Sequence, residues 1–98
     1  IDYDQCWDFS ESFAVVQIGE KEHFIKINGE RLNYLEYDQC NFFIDGIASV
    51  RIGKKWHFIK RNGERLNAVD YDYCQHFANR LAKVQIGKKY HFIKKNGK

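Results

Sequence analysis

Histidine and cysteine recur at a fixed interval in this 98-residue chain, and both side chains can ligate metal ions. Zinc–nitrogen bonds are about 2.1 Å long, so nitrogens that share an ion must lie within roughly 3.5 Å of one another. Stacked sheets stand about 10 Å apart, so equivalent residues of an open stack cannot share an ion. A metal site would require the units to close around a threefold axis with these side chains pointing inward. The recurring sets are His23, His57 and His91, and Cys6, Cys40 and Cys74.

The three cysteines argue against a disulfide framework, because an odd number cannot pair completely. Equivalent positions one repeat apart would also exceed the roughly 7 Å Cα separation that a disulfide tolerates. No Cys-x-x-Cys motif is present, which excludes a zinc ribbon or a related redox motif. A catalytic pair such as Cys40 with His57 has no visible orienting residue. We therefore expect free buried thiols that act as small apolar side chains, and no catalytic residue.

An aspartate follows a tyrosine once in each copy, at Asp4, Asp38 and Asp72. One carboxylate per copy falls far short of the six to eight oxygens that Ca²⁺ takes. A short acidic side chain readily accepts backbone N–H bonds in a turn, and this is the role we expect. The residues that could do chemistry thus predict neither a metal nor a cofactor.

These residues recur because the chain is a tandem repeat with a period of 34 residues. The Tyr-Asp-x-Cys motif, a turn glycine, a histidine and a Phe-Ile pair all return at that spacing without insertions. We predict one domain over residues 1–98, built of repeats 3–36, 37–70 and 71–98, the last of them truncated. The chain opens on Ile1 rather than methionine, so we expect a piece of a longer protein.

Each repeat is predicted to form a three-stranded antiparallel meander. The pairs Gly53-Lys54 and Asn62-Gly63 favour tight hairpin turns, because glycine and asparagine tolerate positive φ. A two-residue turn at the first pair would place Val50 opposite His57 on one face of the sheet. No segment shows helical periodicity. The small, branched face is the predicted core: Ala14, Val16, Ile25 and Leu32; Ala48, Val50, Ile59 and Leu66; Ala82, Val84 and Ile93.

The opposite face carries one constant phenylalanine among variable, half-polar neighbours. We predict that it packs partly against the next repeat and is partly open to solvent or a binding partner. Because one sheet of this size cannot bury its own face, the units must stack on one another. The predicted fold is all-β: three repeats of three to four short antiparallel strands, stacked as an open array. A closed, pseudo-threefold barrel or propeller-like body is the alternative. The predicted binding residues are Phe24, Trp56, Phe58, Tyr90 and Phe92.

The second repeat carries Phe-x-x-Gly-Ile-Ala-x-Val at residues 43–50 and Lys-Trp-x-Phe-Ile at residues 55–59. In these motifs it resembles the bacterial WG-repeat family. The family's glycine after the tryptophan is histidine in all three copies, and the tryptophan is Glu22 and Tyr90 in the outer two. The resemblance covers essentially the whole chain. It implies a repeat module of multidomain bacterial proteins that serves interactions and has no established catalytic residues.

The net charge of +3 is too mild to indicate a nucleic-acid partner. Its distribution is uneven: residues 1–36 carry three basic and eight acidic groups, and residues 71–98 carry seven and one. This polarity favours contact between the two ends, within one molecule or head to tail between two. Basic groups around aromatic residues resemble the surfaces on which single-stranded nucleic acid stacks. Glu20 and Glu22 interrupt this basic pattern in the first copy, so we regard a nucleic-acid partner as unlikely. No apolar run is long enough for a membrane span or a signal peptide. The sequence does not indicate where in the cell the protein is located.

We therefore expect a non-enzymatic scaffold for a protein or peptide partner. Two alternatives stay open. One is a glycan-binding or small-ligand-binding module that uses the aromatic faces. The other is a metal site of histidine and cysteine in the closed arrangement.

Overall fold

The computed structural model describes residues 3–33, 35–78 and 80–97. Each repeat forms one three-stranded antiparallel sheet, so the described chain is all-β, as predicted. The third strand of each sheet, however, comes from the Tyr-Asp-x-Cys motif before the longer hairpin. The segment after the Asn62-Gly63 turn, predicted as the third strand, forms only an isolated bridge between Ile59 and Arg65. Equivalent strands begin 34 residues apart. Ile1 and Lys98, the ends of the predicted domain, lie outside the described residues. The strands are β1 (Gln5–Cys6), β2 (Phe13–Ile18), β3 (Lys21–Lys26), β4 (Gln39–Cys40), β5 (Ile47–Ile52), β6 (Lys55–Lys60), β7 (Tyr73–Cys74), β8 (Leu81–Ile86) and β9 (Lys89–Lys94).

The longer hairpin of each repeat has the register that its turn glycine predicts. Val50 lies opposite His57, and Ala48 lies opposite Ile59. The turn residue Gly53 has a φ of +64°, a conformation that residues with a Cβ rarely adopt. We call the side that carries Ala48, Val50 and Ile59, with the equivalent residues of the other repeats, the small face. The other side, which carries Phe24, Phe58 or Phe92, is the phenylalanine face.

The small face is the core of the protein, as predicted. Its alanines, valines and isoleucines are at most 7% exposed in all three repeats, and its two leucines are half-buried. Val16, Val50 and Val84 are fully buried. The alternation of side chains along each hairpin therefore identified correctly the face that is buried in every repeat.

The phenylalanine faces of the first two repeats each pack against the following repeat, which gives two junctions. At the first junction, Val15 and Phe24 share a cluster with Val50 and Ile59 of the second repeat. At the second, Phe58 and Ile47 share a cluster with the small face of the third repeat. None of the described sheets closes into a barrel, and the molecule measures 41 × 25 × 19 Å. The repeats form the open array, and the closed body does not occur.

A connector opens each repeat and runs from its tyrosine to the phenylalanine six residues later, and in the second and third repeats it begins on the edge of the previous sheet. Tyr37 exchanges two backbone hydrogen bonds with Glu22, with N···O distances of 2.8 and 2.9 Å. Tyr71 makes the same exchange with Trp56, at 2.8 Å in both directions. The connector thus extends one sheet while it starts the next, and this fixes the position of successive repeats.

An asparagine side chain completes each junction. Asn33 donates from Nδ2 to the carbonyl oxygen of Gly63 at 3.1 Å and to the Tyr37 hydroxyl at 3.2 Å. A Cβ on Gly63 would lie 3.1 Å from that Nδ2 atom, and the φ of Gly63 is +87°. Both the close approach and the left-handed backbone therefore require glycine here. Asn67 repeats the arrangement one period later.

Candidate functional site: the connector groove

The structure places three of the predicted binding residues at the junctions. Phe24 and Phe58 are 2% and 1% exposed, because the next repeat covers them. Both lie inside the array rather than on the exposed face that the sequence pattern predicted. Trp56 is half-buried, packs against the second junction and lies 6.0 Å from the guanidinium carbon of Arg51. The junctions therefore bury most of the apolar surface of the first two phenylalanine faces.

The other two predicted residues lie at one end of the array. Tyr90 and Phe92 are 57% and 65% exposed, because no following repeat covers them in the structure. The Nζ atom of Lys83 lies 4.6 Å from the centre of the Tyr90 ring, within cation–π distance. A role of this end face in binding stays a prediction.

The recurring histidines differ in their surroundings. His23 and His57 are buried, and each packs against its connector tyrosine with ring centroids 6.1 Å apart. His91 is exposed. Burial, reinforced by the positive charge of Arg65, lowers the pKa of His57 to about 4. Within residues 3–33, 35–78 and 80–97, no three side chains of histidine, cysteine, aspartate or glutamate are placed to hold a metal ion.

The connector aspartates anchor the hairpin turns, as predicted. Asp38 accepts a hydrogen bond from the Gly53 N–H at 2.5 Å and another from Lys21 of the preceding repeat at 2.5 Å. The Lys21 bond, with help from Gly53, lowers the pKa of the Asp38 carboxyl. Lys55 and Asp72 form the corresponding ion pair at the second junction. The equivalent turn bonds are those of Gly19 to Asp4 and Gly87 to Asp72.

A groove of about 800 Å³ runs along the connectors of all three repeats. Each connector contributes one exposed aromatic side chain to it: Trp7, Phe42 and Tyr73 are 37%, 43% and 45% exposed. Cavities of roughly 300–1,000 Å³ with apolar linings and a few polar groups are typical ligand sites. We call this surface the connector groove and take it as the candidate functional site.

Hydrogen bonds hold the groove wall in shape. Glu22 accepts a hydrogen bond from the Cys40 backbone N–H at 2.8 Å, so the first repeat fixes the edge of β4. The Nδ2 atom of Asn41 donates to the Ser49 hydroxyl at 2.7 Å, which ties the same connector to β5. The groove is therefore built on a braced part of the fold rather than on a free loop.

Two buried thiols line the groove, and their burial disfavours the reactive thiolate form. Burial raises the pKa of both Cys40 and Cys74, that of Cys74 to about 12. Such thiols remain protonated at neutral pH and are poor nucleophiles. The expectation of buried thiols is confirmed for these two residues, whereas Cys6 is exposed. No repeat packs over the first connector in the structure, which explains the difference.

Repeat alignment could not find the groove, because its aromatics occupy different positions in their repeats. Trp7 is equivalent to Asn41, and Tyr73 is equivalent to Gln39. The available signal was that every connector holds one aromatic beyond the recurring tyrosine and phenylalanine. That signal appears only when connectors are compared as segments instead of position by position.

The comparisons with known proteins agree with this architecture. A family model described as WG containing repeat matches residues 1–21 and 34–56, which span the connector and part of the hairpin of the first two repeats. Comparison with curated proteins and with solved structures found no match. No helix in the described part of the chain has the length and apolar character needed to cross a membrane.

Proposed function

We propose that this array of WG-type repeats is a non-enzymatic scaffold that binds a protein or peptide partner in the connector groove. The observation that supports it is the line of Trp7, Phe42 and Tyr73, one from each repeat, along a single groove. Exposed tryptophan and tyrosine dominate the energetics of many interfaces, because they bury a large area with few rotatable bonds. The stack of repeats would thus act as a rigid frame for three anchors.

An extended peptide segment with apolar side chains is the occupant that fits this lining. Val15, Cys40 and Cys74, which are largely buried, are apolar members of the groove lining. The amide side chains of Gln39 and Gln75 stand beside them and can pair with peptide N–H and C=O groups. An extended chain rises roughly 3.3 Å per residue, so about twelve residues would span the 41 Å length of the molecule.

The protonated thiols of the groove support a binding role over a catalytic one. A cysteine nucleophile needs an activating base and an orienting group within hydrogen-bond reach. Burial instead keeps Cys74 in its thiol form, with a pKa of about 12. The groove thus offers contact surface and hydrogen-bonding groups in place of an activated atom.

The substitution Trp7→Ala tests whether the partner binds in the connector groove. A peptide of about twelve residues, selected by display against the wild-type chain, would be titrated into each variant by fluorescence anisotropy. We expect Trp7→Ala and Tyr73→Ala each to raise Kd by at least about tenfold, because hot-spot residues cost about 2 kcal/mol or more when truncated. Tyr90→Ala is the matched control, since Tyr90 is exposed but lies outside the groove.

The opposite pattern would refute the proposal that the partner binds in the connector groove. Loss of binding in Tyr90→Ala with none in Trp7→Ala would place the partner on the end face, where the sequence pattern predicted it. The same variants are also tested on a glycan panel, because aromatic faces beside amide groups suit sugars as well. Binding of a glycan that depends on Trp7, with no peptide selected, would establish the glycan-binding alternative instead.

A further inference from the structure

One end of the array exposes a surface that the internal junctions bury. On the third phenylalanine face, Leu81 is 43% and Phe92 is 65% exposed. The equivalent residues of the second repeat, Ile47 and Phe58, are 7% and 1% exposed, because the third repeat covers them. The end face is thus an uncovered copy of an interface that the chain forms elsewhere.

The other end exposes the complementary half. Phe9 of the first connector is 49% exposed, whereas its equivalents Phe43 and Phe77 are 1% and 2% exposed. Cys6 is exposed, whereas Cys40 and Cys74 are buried. Phe43 and Phe77 are buried because each packs on the phenylalanine face of the preceding repeat.

We propose that the end face of one molecule binds the first connector of a second copy, head to tail. The internal junctions specify the contacts. Phe58 meets Phe77 with ring centroids 5.0 Å apart, so Phe92 would meet Phe9 of the second copy. Lys55 pairs with Asp72, so Lys89 would pair with Asp4 of the second copy.

Charge supports the same pairing. Residues 71–98, which form the end face, carry seven basic groups and one acidic group. Residues 1–36, which include the exposed connector, carry eight acidic and three basic groups. Opposite net charge on the first and last repeats favours head-to-tail encounter and opposes contact between like ends. The association should therefore weaken as salt is added.

Because the interface is heterologous and does not close, each added copy leaves a free end. The average mass in solution should thus rise steadily with concentration.

Sedimentation equilibrium of the 98-residue chain tests the proposal. We expect the average mass to rise above 11.7 kDa between micromolar and millimolar concentration, and to rise less in high salt. Phe92→Ala and Phe9→Ala should each weaken association at least about tenfold. Ile86→Ala is the matched control and should leave association unchanged. Ile86 is 44% exposed, and its equivalents Ile18 and Ile52 remain exposed beside their junctions.

Mixing the two variants gives the decisive result. Phe92→Ala keeps an intact first connector and Phe9→Ala keeps an intact end face, so together they should form a 1:1 dimer of twice the 11.7 kDa monomer mass. At the same concentration, each variant alone should associate at least about tenfold more weakly than the mixture. A wild-type chain that stays monomeric at millimolar concentration would overturn the proposal and leave the end face to another occupant, such as a further repeat. Association lost in Phe92→Ala but kept in Phe9→Ala would also overturn it, since it would indicate a symmetric contact between end faces. Circular dichroism confirms that the variants are folded.

Discussion

Phe58→Ala is expected to lower the free energy of unfolding by about 3–5 kcal/mol, whereas Phe92→Ala should change it by less than about 0.5 kcal/mol. The two residues occupy the same position in neighbouring repeats. Phe58 is 1% exposed and its ring packs on Phe77 and Tyr71, with centroid distances of 5.0 and 6.1 Å. Phe92 is 65% exposed. Truncation therefore leaves a cavity at Phe58 and only removes surface at Phe92.

Urea denaturation of the two variants measures this difference, at low micromolar concentration so that copies stay apart. Each repeat contacts only its neighbours, so Phe58→Ala can shift the whole transition or separate the unfolding of the third repeat from the rest. Either result reports a weakened second junction. Equal costs at the two positions would show that Phe58 does not lie beneath a following repeat.

Acidification from pH 6.5 to pH 4 is expected to remove about 3 kcal/mol of stability through His57. Burial, then the charge of Arg65, lowers the pKa of His57 in the folded state to about 4, against the ordinary value of 6.5. As the pH falls through this window the unfolded chain takes up a proton first, so unfolding becomes easier. Below pH 4 both states are protonated and the loss levels off. The Nε2 atom of His57 has no hydrogen-bond partner in the described structure that could offset the charge.

His57→Leu should flatten most of that slope, because leucine does not titrate and fills the same apolar site. Unfolding free energies measured in urea at a series of pH values would show it. His91→Leu is the matched control and should keep the wild-type slope, since His91 is exposed. His23, whose pKa is also lowered by burial, accounts for the slope that remains. The depressed pKa values of Asp38, Asp70 and Asp72 act in a separate window, below their ordinary value of 3.8. A slope that persists unchanged in His57→Leu would contradict the assignment.

The hairpins could be predicted from the sequence because their determinants are local. The turn glycines set the register, and the alternation along β5 and β6 placed Val50 and His57 on the buried side. The connector aspartates were likewise identified, since a short carboxylate beside a turn has few other roles. Each of these inferences needed only residues within one repeat.

The phenylalanine face could not be assigned in the same way. Alternation shows that Phe58 lies opposite to the small face, but not whether solvent or another repeat lies beyond it. The useful signal was that one residue type is constant: Phe24, Phe58 and Phe92 occupy the same position in the three repeats. Two residues earlier the residue type varies, and Glu22 and Trp56 there are half-buried. The connector groove depends on side chains from three repeats, so it emerges only from the packing of the array.

The reaction rates of the three cysteine thiols test the stacking of the repeats most directly. The cysteines occupy the same position in their repeats, but a preceding repeat covers only two of them. The native chain would be treated with a thiol reagent at neutral pH and low concentration, and the modified peptides would be quantified over time by mass spectrometry. We expect Cys6 to react freely, and Cys40 and Cys74 to react at least about a hundredfold more slowly, because burial excludes the reagent and raises the pKa of both thiols. Equal reaction rates at all three would show that no repeat covers its neighbour, and would contradict the stacked array.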